Sequence, residues 1–108
     1  MASTCNVTGS LATLPGMDAA AICDRFARSL AAGLGESALP PDLAITLTLH
    51  PRGAIEARLA LGGDAYPVVS VDALDRGLQP DDLDQLARVA VQMLADPAVQ
   101  PAAHSKRK

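Results

Sequence analysis

The chain is poor in aromatic residues: among its 108 residues, Phe26 and Tyr66 are the only phenylalanine and tyrosine, and tryptophan is absent. Base-stacking platforms and aromatic cages both need several rings in one place. The composition therefore excludes these two kinds of binding site. Hydrophobic residues still make up 49% of the chain, so its core must be built from leucine, alanine, valine and isoleucine.

The chain also lacks an excess of positive charge and a long apolar run. Its net charge is −3, and its only basic run is 106–108 at the C-terminus, which we interpret as a solvated tail. Nucleic-acid binding normally requires a dense basic surface. No stretch approaches the ~18 apolar residues that cross a bilayer. The sequence therefore disfavours a nucleic-acid partner and predicts no membrane span.

The first residues show neither a positively charged segment nor an apolar stretch of the kind found in signal peptides. We therefore expect a cytoplasmic protein, or a periplasmic one if a signal peptide has been removed. The two cysteines, Cys5 and Cys23, carry no framework signature. Their spacing leaves open whether they are bonded.

Two helices are predicted, one before and one after a central β region. Asp18 is a suitable N-cap for a helix that runs to about Leu34, with an apolar residue every four positions and glycines at its end. A second helix begins near Pro80, where proline and acidic residues favour a first turn, and its apolar stripe continues to residue 95.

The central region, 43–61, has the alternation of a half-buried β-hairpin. If Leu49 lies opposite Ile55, all the large apolar residues share one face and 51–53 forms a three-residue loop. Gly53 then occupies the left-handed position of that loop. A shorter strand over 66–71 follows, and Pro67 places it at an edge because proline cannot donate to a ladder.

These elements predict an α+β two-layer sandwich in the order helix, three-stranded antiparallel sheet, helix, with both helices on one sheet face. We expect residues 1–16 to form a flexible N-terminal arm, 17–96 a single domain and 97–108 a disordered tail.

Each polar residue that could bind a metal or catalyse a reaction has a simpler structural interpretation. Asp81, Asp82 and Asp84 have the acidity of a helix start, and lack the loop of a calcium site. Cys23 falls beside an apolar helix face, where cysteine behaves as a small hydrophobe. His50 precedes a turn and has no recognisable catalytic partner. We therefore predict no catalytic residues, no metal and no cofactor.

The sequence instead favours a small non-catalytic protein-interaction or assembly module, which binds a protein partner or itself as a homodimer. Strand 43–49 would be an unprotected edge if strand order followed chain order, and helix 80–95 has an apolar arc wider than a docked helix needs. The predicted interface residues are Ile45, Leu47, Leu49, Val89, Val91 and Met93.

An alternative from a different class is a small-molecule-binding or enzymatic domain. Its pocket would lie near His50, Arg52 and Arg58, the first of which can act as a base near neutral pH.

Two segments carry family resemblances. Residues 69–74 and 82–90 resemble the strand-to-helix passage of the YbaB/EbfC nucleoid-associated proteins, which are small dimers. Residues 22–23 and 45–55 are similar to the helix and hairpin of the TonB/TolA C-terminal domains, envelope modules that bind partners by strand pairing. Both resemblances imply a non-enzymatic binding module, and neither assigns a binding residue.

Overall fold

The computed structural model describes residues 4–10, 14, 16–35, 39–73 and 77–95. These residues form an α+β fold with two helices and a mixed sheet of five strands. In chain order the elements are β1 (Thr4–Gly9), α1 (Ala19–Leu34), β2 (Leu43–His50), β3 (Ala54–Leu61), β4 (Asp64–Ala65), β5 (Val69–Asp72) and α2 (Pro80–Ala95). The predicted disordered tail, 97–108, lies outside the described residues.

The central hairpin of β2 and β3 has the predicted register. Leu49 lies opposite Ile55, and the pairing continues as far as Leu43 and Leu61. Gly53 has a φ of +99°, and its N–H donates to the His50 carbonyl oxygen at 3.0 Å. The alternation of large apolar residues therefore fixed the register, because a shift of one residue would turn every one of them to the other face.

The sheet extends beyond β2, which the sequence did not predict. Strand β1 pairs in parallel with β2, with Cys5 beside Ile45 and Thr8 beside Thr48. The predicted three-stranded antiparallel sheet is thus replaced by a mixed five-stranded one, and residues 4–9 of the predicted flexible arm belong to it. A six-residue strand with only two apolar residues, and with Asn and Gly among the rest, carries little strand signal.

On the other side of the hairpin, the sheet ends in two short strands. Both β4 and β5 pair antiparallel with β3, at Leu61 and Ala60 for β4 and at 54–57 for β5. Pro67 lies in the interruption between them. Of the single strand predicted over 66–71, only 69–71 are strand, in β5, which lies at an edge of the sheet as predicted. The strand β4 lies outside that range, just before it.

Each helix is capped by residues in its own sequence. The Asp18 carboxylate accepts a hydrogen bond from the Ala21 N–H at 2.8 Å, and Gly35 ends α1 with a φ of +74°. At the start of α2, the Gln79 N–H donates to the buried Asp82 carboxylate at 2.8 Å. This contact resembles half of a capping box, in which a third-position acid satisfies an otherwise orphaned amide.

One hydrophobic core joins the sheet and both helices, and it is aliphatic as the composition requires. Phe26 is fully buried within it, whereas Tyr66 is partly buried at its margin. Its other fully buried large side chains are Leu14, Ile22, Leu30, Ile45, Leu47, Leu49, Ile55, Leu59, Leu83 and Leu86. The opposite face of β2 and β3 carries Thr46, Thr48, Glu56 and Arg58 and is half-buried or exposed. Among the described residues, neither helix is long and apolar enough to cross a membrane.

Candidate functional site

Strand β2 cannot be the edge that the sequence predicted, because it is paired on both sides. Its neighbours are β1 and β3, and its predicted interface residues Ile45, Leu47 and Leu49 are at most 1% exposed. The prediction of an exposed edge at 43–49 is therefore wrong. It assumed that strand order follows chain order, whereas β1 precedes α1 in the chain and returns to lie beside β2.

The wide apolar arc of α2 has partners inside the fold. Met93 is buried in the core, and Val89 is partly buried against it. Val91 lies so close to α1 that a Cβ added at Gly33 would be 2.7 Å from its Cγ2 atom. The absent side chain at Gly33 thus permits the two helices to approach, and Val91 and Met93 are used for packing within the chain.

The longest outer strand of the sheet is β1. Within the described part of the chain it pairs only with β2, so its other side carries backbone N–H and C=O groups from alternate residues. The strand contains no charged residue and no proline. Proteins usually blunt exposed edges with lysine, proline, bulges or short strands, and β1 has none of these features along residues 4–8.

A disulfide between Cys5 and Cys23 ties this strand to α1. Cys5 is on the same sheet face as its pairing neighbour Ile45, which directs it towards the core. Both cysteines are partly buried and pack against the core. The sequence had left their state open. It predicted that Cys23 lies beside the apolar helix face as a small hydrophobe; the structure places Cys23 partly buried against the core, and bonded to Cys5.

The C-terminal end of β1 fits closely against β2. Gly9 has a φ of +92°, and a Cβ added there would overlap the Leu49 carbonyl oxygen. The hydroxyl groups of Thr8 and Thr48 lie 3.1 Å apart on the polar sheet face. Glycine is required at position 9 both for this conformation and for the close backbone approach.

An ion cluster fastens α1 to α2. The Arg25 guanidinium donates to both carboxylate oxygens of Asp84, at 3.2 and 2.7 Å, and to Asp81 at 3.1 Å. The Ser29 hydroxyl donates to Asp84 at 2.5 Å. The hydrogen bond with Arg25 holds the pKa of Asp84 below its ordinary value, against the effect of burial. The same bond raises the pKa of Arg25.

Each member of the acidic trio therefore has a structural role. Asp82 caps α2, while Asp81 and Asp84 bind Arg25. A groove of about 390 Å³ beside the cluster is lined by Arg25, Arg28, Ser29, Ala32 and Asp84. The two arginines in this groove are already bound to aspartates, since Arg28 pairs with Asp24 at 2.8 Å.

The alternative pocket is only partly assembled. His50, Arg52 and Asp72 line a cavity of about 350 Å³ at the hairpin turn, together with Pro51 and Ala54. Arg58 lines a different groove, of about 130 Å³. The structure thus brings two of the three predicted pocket residues together. Among the described residues, no group of three or more His, Cys, Asp or Glu side chains is placed to hold a metal ion.

His50 has an incomplete hydrogen-bond environment. Its Nε2 atom lies 3.3 Å from the Glu56 carboxylate, which is an ion-pair distance if the imidazole is protonated. Nevertheless Nε2 is buried and its geometry with Glu56 does not make a hydrogen bond. A distance alone does not establish a hydrogen bond, because the angle must also be favourable. The described residues that line the cavity include no serine, threonine or cysteine.

Comparisons with protein-family models, with curated proteins and with solved structures found no match.

Proposed function

We propose that the protein is a small non-catalytic assembly module that self-associates through the outer edge of β1. The observation that carries this proposal is the uncharged, uninterrupted edge of residues 4–8, which pairs only with β2 among the described residues. An exposed row of backbone donors and acceptors is a template for adding another strand.

A second copy of the chain suits this edge because β1 is compatible with itself. In an antiparallel pair with a two-fold axis at Asn6, Thr4 of one copy faces Thr8 of the other, and Cys5 faces Val7. Threonine–threonine pairs contribute to sheet stability, whereas like charges opposite each other oppose pairing. The strand has no charge to create such repulsion. We place the axis at Asn6 because Gly9, with its positive φ, ends the regular strand.

Such a dimer would be isologous, with the same surface used by both copies. The two sheets would join into one continuous sheet, and no side chain of the core would need to move. The proposal takes the fold to be a two-layer sandwich with both helices on one sheet face, which the single core shared by the sheet and both helices supports.

The disulfide supports an oxidising compartment, where such bonds persist. Of the two locations considered from the sequence, we therefore propose the periplasmic one. The periplasmic location is tested by mass spectrometry of the native protein under conditions that trap free thiols. Alkylation of Cys5 and Cys23 in freshly lysed source cells would overturn this placement.

Charge substitutions at Asn6 test the self-association. If Asn6 lies on the two-fold axis, residue 6 of one copy lies opposite residue 6 of the other. Two lysines therefore meet in Asn6→Lys, and two aspartates meet in Asn6→Asp. We expect both variants to be monomeric in sedimentation equilibrium over a concentration range in which the parent chain dimerises. An equimolar mixture of the two variants should recover a dimer, because opposite charges then meet.

Ser70→Lys is the matched control, since Ser70 is exposed on β5 at the other edge of the sheet. This variant should dimerise as the parent chain does. A parent chain that stays monomeric at every accessible concentration would refute the self-association. Dimers that persist in both Asn6 variants and dissociate in Ser70→Lys would move the interface to the opposite edge.

The small-molecule-binding or enzymatic domain remains the second candidate, favoured by the cavity beside His50 and by its buried Nε2 atom. Thermal shift with millimolar inorganic phosphate or acetate tests this candidate. Stabilisation that disappears in His50→Ala and Arg52→Ala, and persists in Arg58→Ala, would support a pocket at the hairpin turn. Arg58 is a suitable control because it lines a separate groove.

A further inference from the structure

We propose that the Cys5–Cys23 disulfide is a redox-sensitive latch that holds β1 against β2 and so controls the edge on which self-association depends. This inference rests on the proposed function. The two elements that the disulfide joins are anchored in different ways. Helix α1 is held by buried side chains and ion pairs, whereas β1 is held mainly by backbone pairing with β2.

Helix α1 has several attachments that do not involve the disulfide. Ile22, Phe26 and Leu30 are fully buried in the core. Arg25 and Ser29 bind Asp84 on α2. Gly33 admits Val91 of α2. These contacts hold α1 in place whether or not Cys23 is bonded.

Strand β1 is held mainly by backbone pairing and not by buried side chains. Its side chains directed towards the core are Cys5 and Val7, and both are only partly buried. Its other ties among the described residues include the parallel ladder to β2, the close approach of Gly9 and the Ser10 N–H, which donates to the Leu49 carbonyl oxygen at 2.9 Å. A strand with little buried apolar area belongs to the low-stability end of a fold. The covalent bond to α1 therefore adds a constraint that the side chains of β1 do not supply.

Opening the latch requires a reductant, for which a protein dithiol of the thioredoxin type is chemically suitable. One thiolate of the dithiol attacks a sulfur of the Cys5–Cys23 bond, forms a mixed disulfide and displaces the other cysteine as a thiolate, which takes up a proton. The second thiol of the reductant, as its thiolate, then attacks the mixed disulfide and releases the remaining cysteine, which is likewise protonated. Two electrons and two protons pass to the chain, and the reductant leaves as a disulfide.

After reduction, we expect β1 to separate from β2 while the hairpin and both helices stay folded. The pairing surface of residues 4–8 is then no longer held as a strand, and the dimer dissociates. Reoxidation re-forms the bond, because α1 still presents Cys23 beside the place where Cys5 docks.

Hydrogen exchange read by mass spectrometry tests the latch independently of assembly. The chain is compared in its oxidised form and in the presence of a phosphine reductant, at a concentration where the oxidised chain is monomeric. We expect the amides of 5–8 that bond to β2 to lose their protection and exchange about tenfold faster or more. The amides in 55–59 of β3 should accelerate only as far as the lower global stability of the reduced chain requires, and should stay protected. The Cys5→Ser, Cys23→Ser double variant should show the rapid exchange in both conditions and no response to the reductant.

Unchanged protection of β1 after verified reduction would overturn the latch, and so would loss of protection in β3 together with β1, which indicates global unfolding. Sedimentation at high concentration then separates the two proposals. If the oxidised chain never dimerises, the proposed function fails although the latch can still be seen by exchange. If the dimer forms and survives reduction, self-association stands and the latch fails.

Discussion

The two edges of the sheet are built in different ways. On one side, β1 is a six-residue strand, parallel to its neighbour and tied to a helix by a disulfide. On the other side, β4 and β5 are two and four residues long, antiparallel to β3 and separated around Pro67.

This difference teaches how each edge is kept from uncontrolled pairing. The β4–β5 edge is blunted by its own sequence, because short strands and a proline offer few consecutive backbone groups. The β1 edge has no such protection and is instead fixed in position by a covalent bond. An edge that is held in place but left unblunted is suited to controlled pairing.

The largest effect is expected from removal of the disulfide. Closing a loop between residues 18 positions apart stabilises by about 3 kcal/mol in the chain-entropy treatment. The Cys5→Ser, Cys23→Ser double variant should lose about this much free energy of unfolding in urea titrations. The parent chain in reductant should unfold at the same urea concentration as the variant. A loss below about 0.5 kcal/mol would show that the bond does not constrain the unfolded chain.

Two glycine substitutions compare the two edges at positions that have nearly the same φ angle. Gly9 beside β2 and Gly63 in the turn before β4 have φ values of +92° and +91°. A Cβ at Gly63 has open space, whereas one at Gly9 overlaps the Leu49 carbonyl oxygen. We expect Gly63→Ala to cost about 1 kcal/mol for the backbone strain alone.

Gly9→Ala should cost about 2 kcal/mol, because it adds the overlap to the same strain. The end of β1 can move away from β2, which limits the penalty. Both values follow from urea titrations of the oxidised chains. Equal costs for the two variants would mean that β1 does not approach Leu49 as closely as the structure shows.

The ion cluster between α1 and α2 joins the two sides of the molecule, since α1 is bonded to β1 and α2 follows β5. Arg25 lowers the pKa of Asp84 from its ordinary value of 3.8. The contribution of Asp84 to stability is therefore fully present above that value and is lost as the pH falls through the lowered folded-state pKa.

Asp84→Asn should therefore be less stable than the parent chain near neutral pH. Its loss of stability should be smaller than that caused by removing the disulfide or by Gly9→Ala. The difference should shrink below the ordinary pKa of the carboxyl, in urea titrations across the acid range. Asp24→Asn is the control, because Asp24 pairs with Arg28 on the exposed surface of α1. Its effect should stay within about 0.5 kcal/mol, as for most exposed pairs. If Asp84→Asn loses the same free energy of unfolding at every pH, its effect is due to packing and not to charge.

The smallest effect on stability, and the most specific one on assembly, is expected from Pro67→Thr. Proline is exposed here and lies between β4 and β5. Threonine restores a backbone donor and favours extended structure. We expect the free energy of unfolding to change by less than about 0.5 kcal/mol, as at other surface positions. The average mass in sedimentation should rise above that of the dimer, because the second edge becomes available. A mass equal to that of the parent would show that the gap between β4 and β5 blunts this edge even without the proline.

Local signals in the sequence predicted those elements whose periodicity, caps or turn residues lie within the element itself. The hairpin was predictable because its apolar residues alternate over two strands and Gly53 supplies the loop conformation. The helices were predictable because Asp18 and Gly35 bound one of them and Pro80 begins the other. The β1 strand gave no such signal, since Asn and Gly are uncommon in strands and only Cys5 and Val7 are apolar.

The candidate site was harder to predict than the fold. The edge was assigned to β2, because nothing local reveals that a segment before α1 returns to pair with residues 40 positions later. The wide arc of α2 was visible in the sequence, but its explanation depends on Gly33 and Val91 meeting across two helices. His50 and Arg52 are close because they adjoin one turn, while Arg58 lies farther along β3.

The sequence by itself determined an aliphatic core, the helix boundaries and the register of the hairpin, since each depends on residues near one another in the chain. Tertiary structure alone decided the strand order, the Cys5–Cys23 bond, the partners of the acidic residues and which strand forms the exposed edge. The physical reason is that periodicity, capping and turn chemistry act over a few residues. Pairing between distant segments is selected by the burial and backbone hydrogen bonding of the whole chain.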